Sequence, residues 1–163
     1  GCKIIGFTSS NEKAEICKNE FGYDEVINYN KVDNLSSSLN QIAPNGVDCF
    51  FDNVGGEQFD AVMENLNINA RVVICGTIGM PSYPIPNGPR INRTLLVKRA
   101  KIEGLLVLDY FDRYQEIYDQ LAQWFKDGKL KNKEDISDGL PTAPASLVKI
   151  LNGLNLGKQL VKI

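Results

Sequence analysis

The sequence predicts an α/β fold, a doubly wound and mostly parallel sheet with helices on both faces. Three observations lead there. Short β-rich runs alternate with stretches of helical periodicity along the 163 residues, the pattern of successive βαβ units. The strand runs are continuously apolar, as expected of strands covered on both faces. Hydrophobic residues make up 43% and charged residues 23%, the composition of one soluble domain of ordinary size.

The elements follow in order. Residues 3–8 read as the first strand. Ser9 and Glu12 have the spacing of a capping box, and the helix behind them places Ala14, Cys17 and Phe21 on one face before Gly22 stops it. Residues 26–29 form a short second strand. Leu35, Leu39 and Ile42 are helically spaced, and Pro44-Asn45-Gly46 ends that segment. Residues 47–52 form the third strand, closed by Asn53-Val54-Gly55-Gly56. Phe59, Val62, Met63 and Leu66 define an amphipathic helix, and residues 71–76 the fourth strand. A Pro- and Gly-rich loop over 79–90 leads through an ambiguous segment to a fifth strand at 102–108. Ile117, Leu121, Trp124 and Phe125 stripe a long helix that closes at Gly128, where a core or interface role is expected. A last helix at 145–151 precedes a C-terminal strand at 159–163.

Composition removes several chemistries. There is no histidine, so Ser-His-Asp and Cys-His catalysis and His-containing metal sites are excluded within this chain. The formal charge is -2, which argues against a nucleic-acid partner. Cys2, Cys17, Cys49 and Cys75 include no CxxC pair. Three of the four sit among strand-like or helical apolar residues, which suits reduced, buried thiols of a cytoplasmic protein, and no metal is expected. No apolar run approaches the ~18 residues of a membrane span, and no signal-peptide pattern is visible.

In a doubly wound sheet, ligands gather at the carboxyl ends of the strands. After the first strand stand Ser9 and Ser10, neutral hydroxyls, with Lys13 one turn on. Dinucleotide sites for NAD place a carboxylate near the end of the second Rossmann strand, and set in that place this turn has two serines, helix N-terminal amides and a lysine, which suit a 2'-phosphate instead. The plainer reading is a capped helix beside a solvated lysine. Asn53 offers a donor and an acceptor beside two glycines that let a flat ligand approach, although an ordinary turn has the same composition. Cys75-Gly76-Thr77-Ile78 repeats the theme, with Cys75 packed rather than nucleophilic because no histidine exists to activate it. The loop holding Met80, Tyr83 and four prolines is either a stiff pocket wall or a connector. Tyr110 is the best placed hydroxyl for a pocket, its alternative being a packed ring with an exposed tip. No G-x-G-x-x-G follows a first strand.

Taken together, SNEK, INYN, FFDNVGG, VVICGTI, WFKDGKL and NLGKQLVKI resemble the cofactor-binding domain of zinc-independent medium-chain reductases. The branch they resemble holds the prostaglandin reductases and the NADPH-dependent 2-alkenal reductases, and the resemblance spans residues 1–163. It implies a Rossmann-like domain that lacks its first strand and Gly-rich loop, as a portion of a longer two-domain reductase. The strand at 159–163 would return to the absent catalytic domain, and this chain alone would neither hold NADPH tightly nor turn over. The resemblance also implies reduction of a carbon–carbon double bond conjugated to a carbonyl, with NADPH and without metal. By it, Lys13 and Tyr29 hold the 2'-phosphate end. Asn53, Cys75, Gly76, Ile78 and Tyr83 line the site, Leu106, Val107 and Leu108 flank the nicotinamide with Asn155 near it, and Tyr110 meets the carbonyl of the enone or enal substrate.

Two other classes compete with a reductase portion. One is a truncated module serving binding or dimerisation alone; the other is a different α/β enzyme such as a methyltransferase, whose usual ribose carboxylate after the second strand is not visible. The apolar fifth strand, 102–108, is expected at a sheet edge and predicts a homodimer through that edge.

Overall fold

A computed structural model describes every residue except 82, 83 and 85. The order is β1 (Ile5–Thr8), α1 (Asn11–Asn19), β2 (Glu25–Asn28), α2 (Leu35–Ile42), β3 (Val47–Asp52), α3 (Glu57–Glu64), β4 (Leu66–Ile74), α4 (Asn92–Lys98), β5 (Lys101–Gly104), α5 (Tyr114–Lys126), β6 (Glu134–Asp138), α6 (Ala143–Leu151) and β7 (Lys158–Lys162). Short 3-10 segments occupy Tyr29–Lys31, Val107–Arg113, which is kinked at Tyr110, and Leu140–Thr142.

Each described strand pairing is parallel, as the βα alternation predicts. The ladders fall into three groups, β1–β2, β3–β4–β5 and β6–β7, instead of one continuous sheet. Among the described residues no ladder joins β1 to β3, yet both pack on one core. Ile27, Leu39, Val62, Met63, Leu66 and Val72 are buried there, with Ile5 and Phe7 of β1 and Val47 and Phe50 of β3 against them. Burial of Leu39, Leu66, Val62 and Val72, the four largest fully enclosed side chains, stabilises the core by about 1.5–3 kcal/mol each. Successive residues of a strand face opposite ways, so Phe50 enters this core while Phe51 is 64% exposed on the other face.

Several boundaries differ from expectation, each for a local reason. Ser10, not Ser9, caps α1, its Oγ accepting from the Lys13 amide at 3.2 Å. Leu66 ends the apolar stripe of α3 but belongs to β4, which starts there and absorbs extra residues in a bulge where Asn69 takes φ 63°. The ambiguous segment is α4. The fifth strand is shorter than 102–108: β4, its one partner, ends at Ile74, the Leu105 amide makes a last bond to Ile74 O at 2.8 Å, and Val107 then enters a 3-10 turn. Unforeseen is β6, a strand with one apolar residue, Ile136, among acids. The stripe of α5 exists, but it lies open: Trp124 is 43% exposed, and with Leu121 it lines a surface hollow of about 540 Å³. All four thiols are free, with Cys2 and Cys49 exposed and Cys17 and Cys75 half-buried, so the burial expected of three of them is not found. Burial raises the Cys17 pKa.

The unit β6–α6–β7, with the residues leading into it, is fastened to both ends of α1. Near the helix start, Lys13 Nζ donates to Gly153 O at 2.5 Å. Past its end, Lys131 Nζ donates to Glu20 O at 2.8 Å and Lys133 Nζ to the Glu20 carboxylate at 2.9 Å. Within the unit, Asp135 takes two bonds from Lys149 Nζ and one from the Leu156 amide. No helix among the described residues is long and apolar enough to cross a membrane.

Candidate functional site

The carboxyl ends of β3 and β4 are knitted into one shelf. Asp52 closes β3 with its side chain buried, and its Oδ1 accepts the amides of Val54 and Gly55, both at 2.9 Å. Its main-chain oxygen accepts the amides of Cys75 at 2.7 Å and Gly76 at 3.2 Å. The joining continues outward, with Gly79 N donating to Val54 O at 2.9 Å and Ile78 N to Asn53 O at 3.4 Å. Two turns from different strands thereby hold each other. Only glycine fits at 76, because a Cβ there would lie 2.9 Å from Asn53 O. Gly55 and Gly56, at φ 72° and 65°, turn the chain into α3 in a conformation that other residues rarely adopt. Asn53 is exposed on this shelf and Ile78 is 74% exposed, so both side chains are free to meet a ligand.

A second cluster forms at the end of β1. Lys13 Nζ lies 3.3 Å from Ser9 Oγ and 2.5 Å from Gly153 O, which uses two of its three N–H groups. Ser9 Oγ accepts from Lys13 and Ser10 Oγ from the Lys13 amide. Among the described residues neither serine hydroxyl donates to anything. One ammonium hydrogen and two hydroxyl hydrogens are thus available in a half-buried corner, a donor set that matches an anion. Tyr29 opens the 3-10 turn after β2, and the residues on either side of it bond to the start of α1 and to Ser9. Its neighbour Asn28 donates to Asn11 Oδ1 at 2.6 Å, and Asn30 donates to Ser9 O at 2.8 Å.

Four of the remaining predicted residues share one segment after β5. Leu106, Val107 and Leu108 are 57%, 58% and 66% exposed around the 3-10 turn after β5, and Tyr110 on the same turn is 39% exposed. Asn155 donates to Gly157 O at 2.8 Å. It lies two residues beyond Gly153, on the Lys13 side. Tyr83 falls outside the described residues. Two participants escaped the sequence reading. Asp52 had a usable signal, an Asp at a strand end whose carboxylate reaches the amides two and three residues on. Gly153 had none, since its bond to Lys13 crosses 140 residues.

Residues 1–126 match the zinc-binding dehydrogenase family. Over 163 residues the chain is 37% identical to the NADP(+)-dependent 2-alkenal reductase of Nicotiana tabacum, covering all of this chain and 48% of that protein. It is 34% identical to the (+)-pulegone reductase of Mentha piperita, again over all of this chain and 48% of that protein. The crystal structure of CurA from Vibrio vulnificus in complex with NADPH superposes with a TM-score of 0.90 at 36% identity, over 99% of this chain and 50% of that one. The chain therefore spans about half the length of the curated relatives it matches.

Proposed function

Because the chain belongs to the zinc-binding dehydrogenase family, we propose that it is the cofactor-binding portion of an NADPH-dependent enone or enal reductase, in the zinc-independent branch of prostaglandin-type and 2-alkenal medium-chain reductases that its relatives suggest. The reaction is reduction of the carbon–carbon double bond of α,β-unsaturated aldehydes or ketones. One observation carries this reading above the family's breadth: the corner of Ser9, Ser10 and Lys13 presents spare donors where an NAD site would present a carboxylate.

Bound NADPH supplies a hydride; the residues of this chain bind, orient and stabilise. Ser9, Ser10 and Lys13, with Tyr29 beside them, take the 2'-phosphate through charge-assisted bonds. Asn53, Cys75, Gly76 and Ile78 form the shelf for the middle of the dinucleotide, and the shelf's glycines and free Asn53 amide suit that role. Leu106, Val107 and Leu108 offer apolar surface to the nicotinamide end, with Asn155 and Tyr83 completing the set that the resemblance implies. Tyr110 donates its hydroxyl hydrogen toward the substrate carbonyl as negative charge builds on that oxygen. Zinc does not fit this chain. The sequence has no histidine, and among the described residues no three Cys, Asp or Glu side chains converge.

Two further proposals concern assembly. One more parallel strand, with a glycine-rich turn, sits between β1 and β3 in the intact protein. The support is that both strands pack on one core with no ladder between them. The intact protein is also a homodimer through the outer edge of β5, which among the described residues pairs with β4 alone.

The test uses the full-length protein. NADPH and NADH oxidation are followed with an alkenal, an enone and a 15-oxoprostaglandin. NADPH-dependent turnover of at least one is expected; an equal or greater rate with NADH, or no turnover of any, overturns the reading.

A further inference from the structure

We propose that Asp52 is the positioning residue of the cofactor shelf, acting on dinucleotide affinity through the two turns it holds and not on the chemical step. The inference rests on the reading of the shelf as a dinucleotide site. Asp52 itself is 3% exposed, its carboxylate turned to the amides of the turn and not to the open shelf. Its carboxylate and its main-chain oxygen together gather four amides, those of Val54 and Gly55 from the turn after β3 and those of Cys75 and Gly76 from the turn after β4. Among the described residues, no other one at the site binds both turns through two of its own oxygens.

Local sequence cannot hold this arrangement by itself. Gly55 and Gly56 are the residues with the widest backbone freedom, so a turn built from them has many conformations to lose on ordering. Gly56, the N-cap of α3, supplies no side-chain cap. Among the hydrogen bonds of the described residues, the Asp52 carboxylate is the one side chain that binds the amides of this turn. Anionic acceptors bind amides more strongly than neutral ones. The carboxylate thus stands in for the cap that the glycines cannot provide, and it fixes Asn53, the adjacent residue, in the orientation from which its amide faces out. Asn53 O and Val54 O in turn anchor Ile78 and Gly79, so the setting of the first turn passes to the second.

The carboxylate does this with a single oxygen, Oδ1. Asparagine, which retains that oxygen as a neutral acceptor, should keep most of the arrangement. Serine has one shorter acceptor and should keep part of it. Alanine leaves both amides without a partner.

The experiment compares Asp52→Asn, Asp52→Ser and Asp52→Ala in the full-length protein. The dissociation constant for NADPH is read by fluorescence, kcat is read at saturating NADPH, and amide exchange is followed at Val54 and Gly55. A graded series is expected. The dissociation constant should rise within about threefold for Asn and at least about tenfold for Ala, with Ser between, as one or two amide contacts are lost. Turnover at saturation should stay within about threefold throughout, because no transition-state contact is removed. Exchange at Val54 and Gly55 should accelerate in the same order. If alanine does not fold, the order of wild type, Asn and Ser decides the matter. An unchanged dissociation constant in folded Ser and Ala variants overturns the proposal, and so does a fall in kcat with affinity intact. Failure of the wild-type protein to bind NADPH overturns the functional reading instead, and the exchange data still report whether Asp52 holds the turn.

Discussion

The ammonium of Lys13 lies 2.5 Å from the carbonyl oxygen of Gly153, joining the first helix of the chain to the turn after the last. The same nitrogen reaches Ser9 Oγ at 3.3 Å. A lysine held at two points has lost much of its side-chain freedom before any ligand arrives, so an anion met by its third N–H pays less ordering entropy. Lys13 is therefore both a fastener and a preset donor.

Lys13→Ala separates these roles. In the full-length protein it should weaken NADPH more than NADH by ~1–2 kcal/mol, the worth of one charge-assisted contact. Titration of both cofactors against wild type and variant checks this. Equal losses for the two would leave Lys13 with the Gly153 contact alone.

Gly76→Ala places a methyl group 2.9 Å from Asn53 O. Backbone has to shift to admit it, at a cost of about 1–3 kcal/mol. Thermal unfolding should show a lower Tm, and NADPH affinity should fall with it because the two turns are pushed apart.

Tyr110→Phe should lower kcat for an enone by about a hundredfold while NADPH affinity stays at the wild-type value, as expected when a donor to a developing oxyanion is removed. Steady-state rates and cofactor titration together decide it. An unchanged kcat removes Tyr110 from the reacting centre.

Proline scanning of β5 tests the dimer, and the ladder decides where the proline belongs. The Leu105 amide faces inward, bonded to Ile74 O. Alternation along a strand then turns the amides of Ile102 and Gly104 outward. Gly104→Pro should give a monomer on a sizing column with the fold intact. A proline at 105 instead breaks a bond within the chain and should lower Tm. A wild-type protein that sediments as a monomer at high concentration ends the dimer proposal.

Acid should loosen the C-terminal unit first. The bonds from Lys149 and, next, from the Leu156 amide hold the Asp135 carboxyl below its ordinary range. The unfolded chain consequently takes up this proton at a higher pH than the folded one. The stabilisation is complete above the unfolded-state value near ~3.9 and is lost as pH falls through the folded value. Asp135→Asn should flatten the acid limb of a pH–stability curve and leave the neutral limb merely lower. An acid limb of wild-type steepness in the variant would assign the acid sensitivity elsewhere.

What the sequence discloses about this molecule divides by range. Val47–Asp52 and Leu35–Ile42 were legible at their full extent because apolar spacing and a Gly or Pro stop act locally. The strand at 102–108 was overextended because an apolar run does not say when its partner ends, and Ile74 ends it. Conversely β6 stayed hidden, its pairing with β7 resting on backbone bonds that Glu134 and Asp138 make as readily as valines would. At the site, the serine–lysine corner was visible as a spacing and Asn53 as a turn residue. Gly153 and the pairing of the two shelf turns depend on contacts between distant segments, which no periodicity encodes.

The fastening of α1 at both ends also sets an order of events during synthesis. Its anchors, Lys133 and Gly153, lie 113 and 140 residues beyond Glu20 and Lys13. A ribosome therefore releases β1, α1 and β2 long before either anchor exists, while the ladders of β3, β4 and β5 close over much shorter separations. Contacts of such long range form slowly and last. Helix α1 should thus wait without these anchors until β6–α6–β7 emerges. Pulse-labelled amide exchange during refolding would show α1 gaining protection after α3, although α1 leaves the ribosome first.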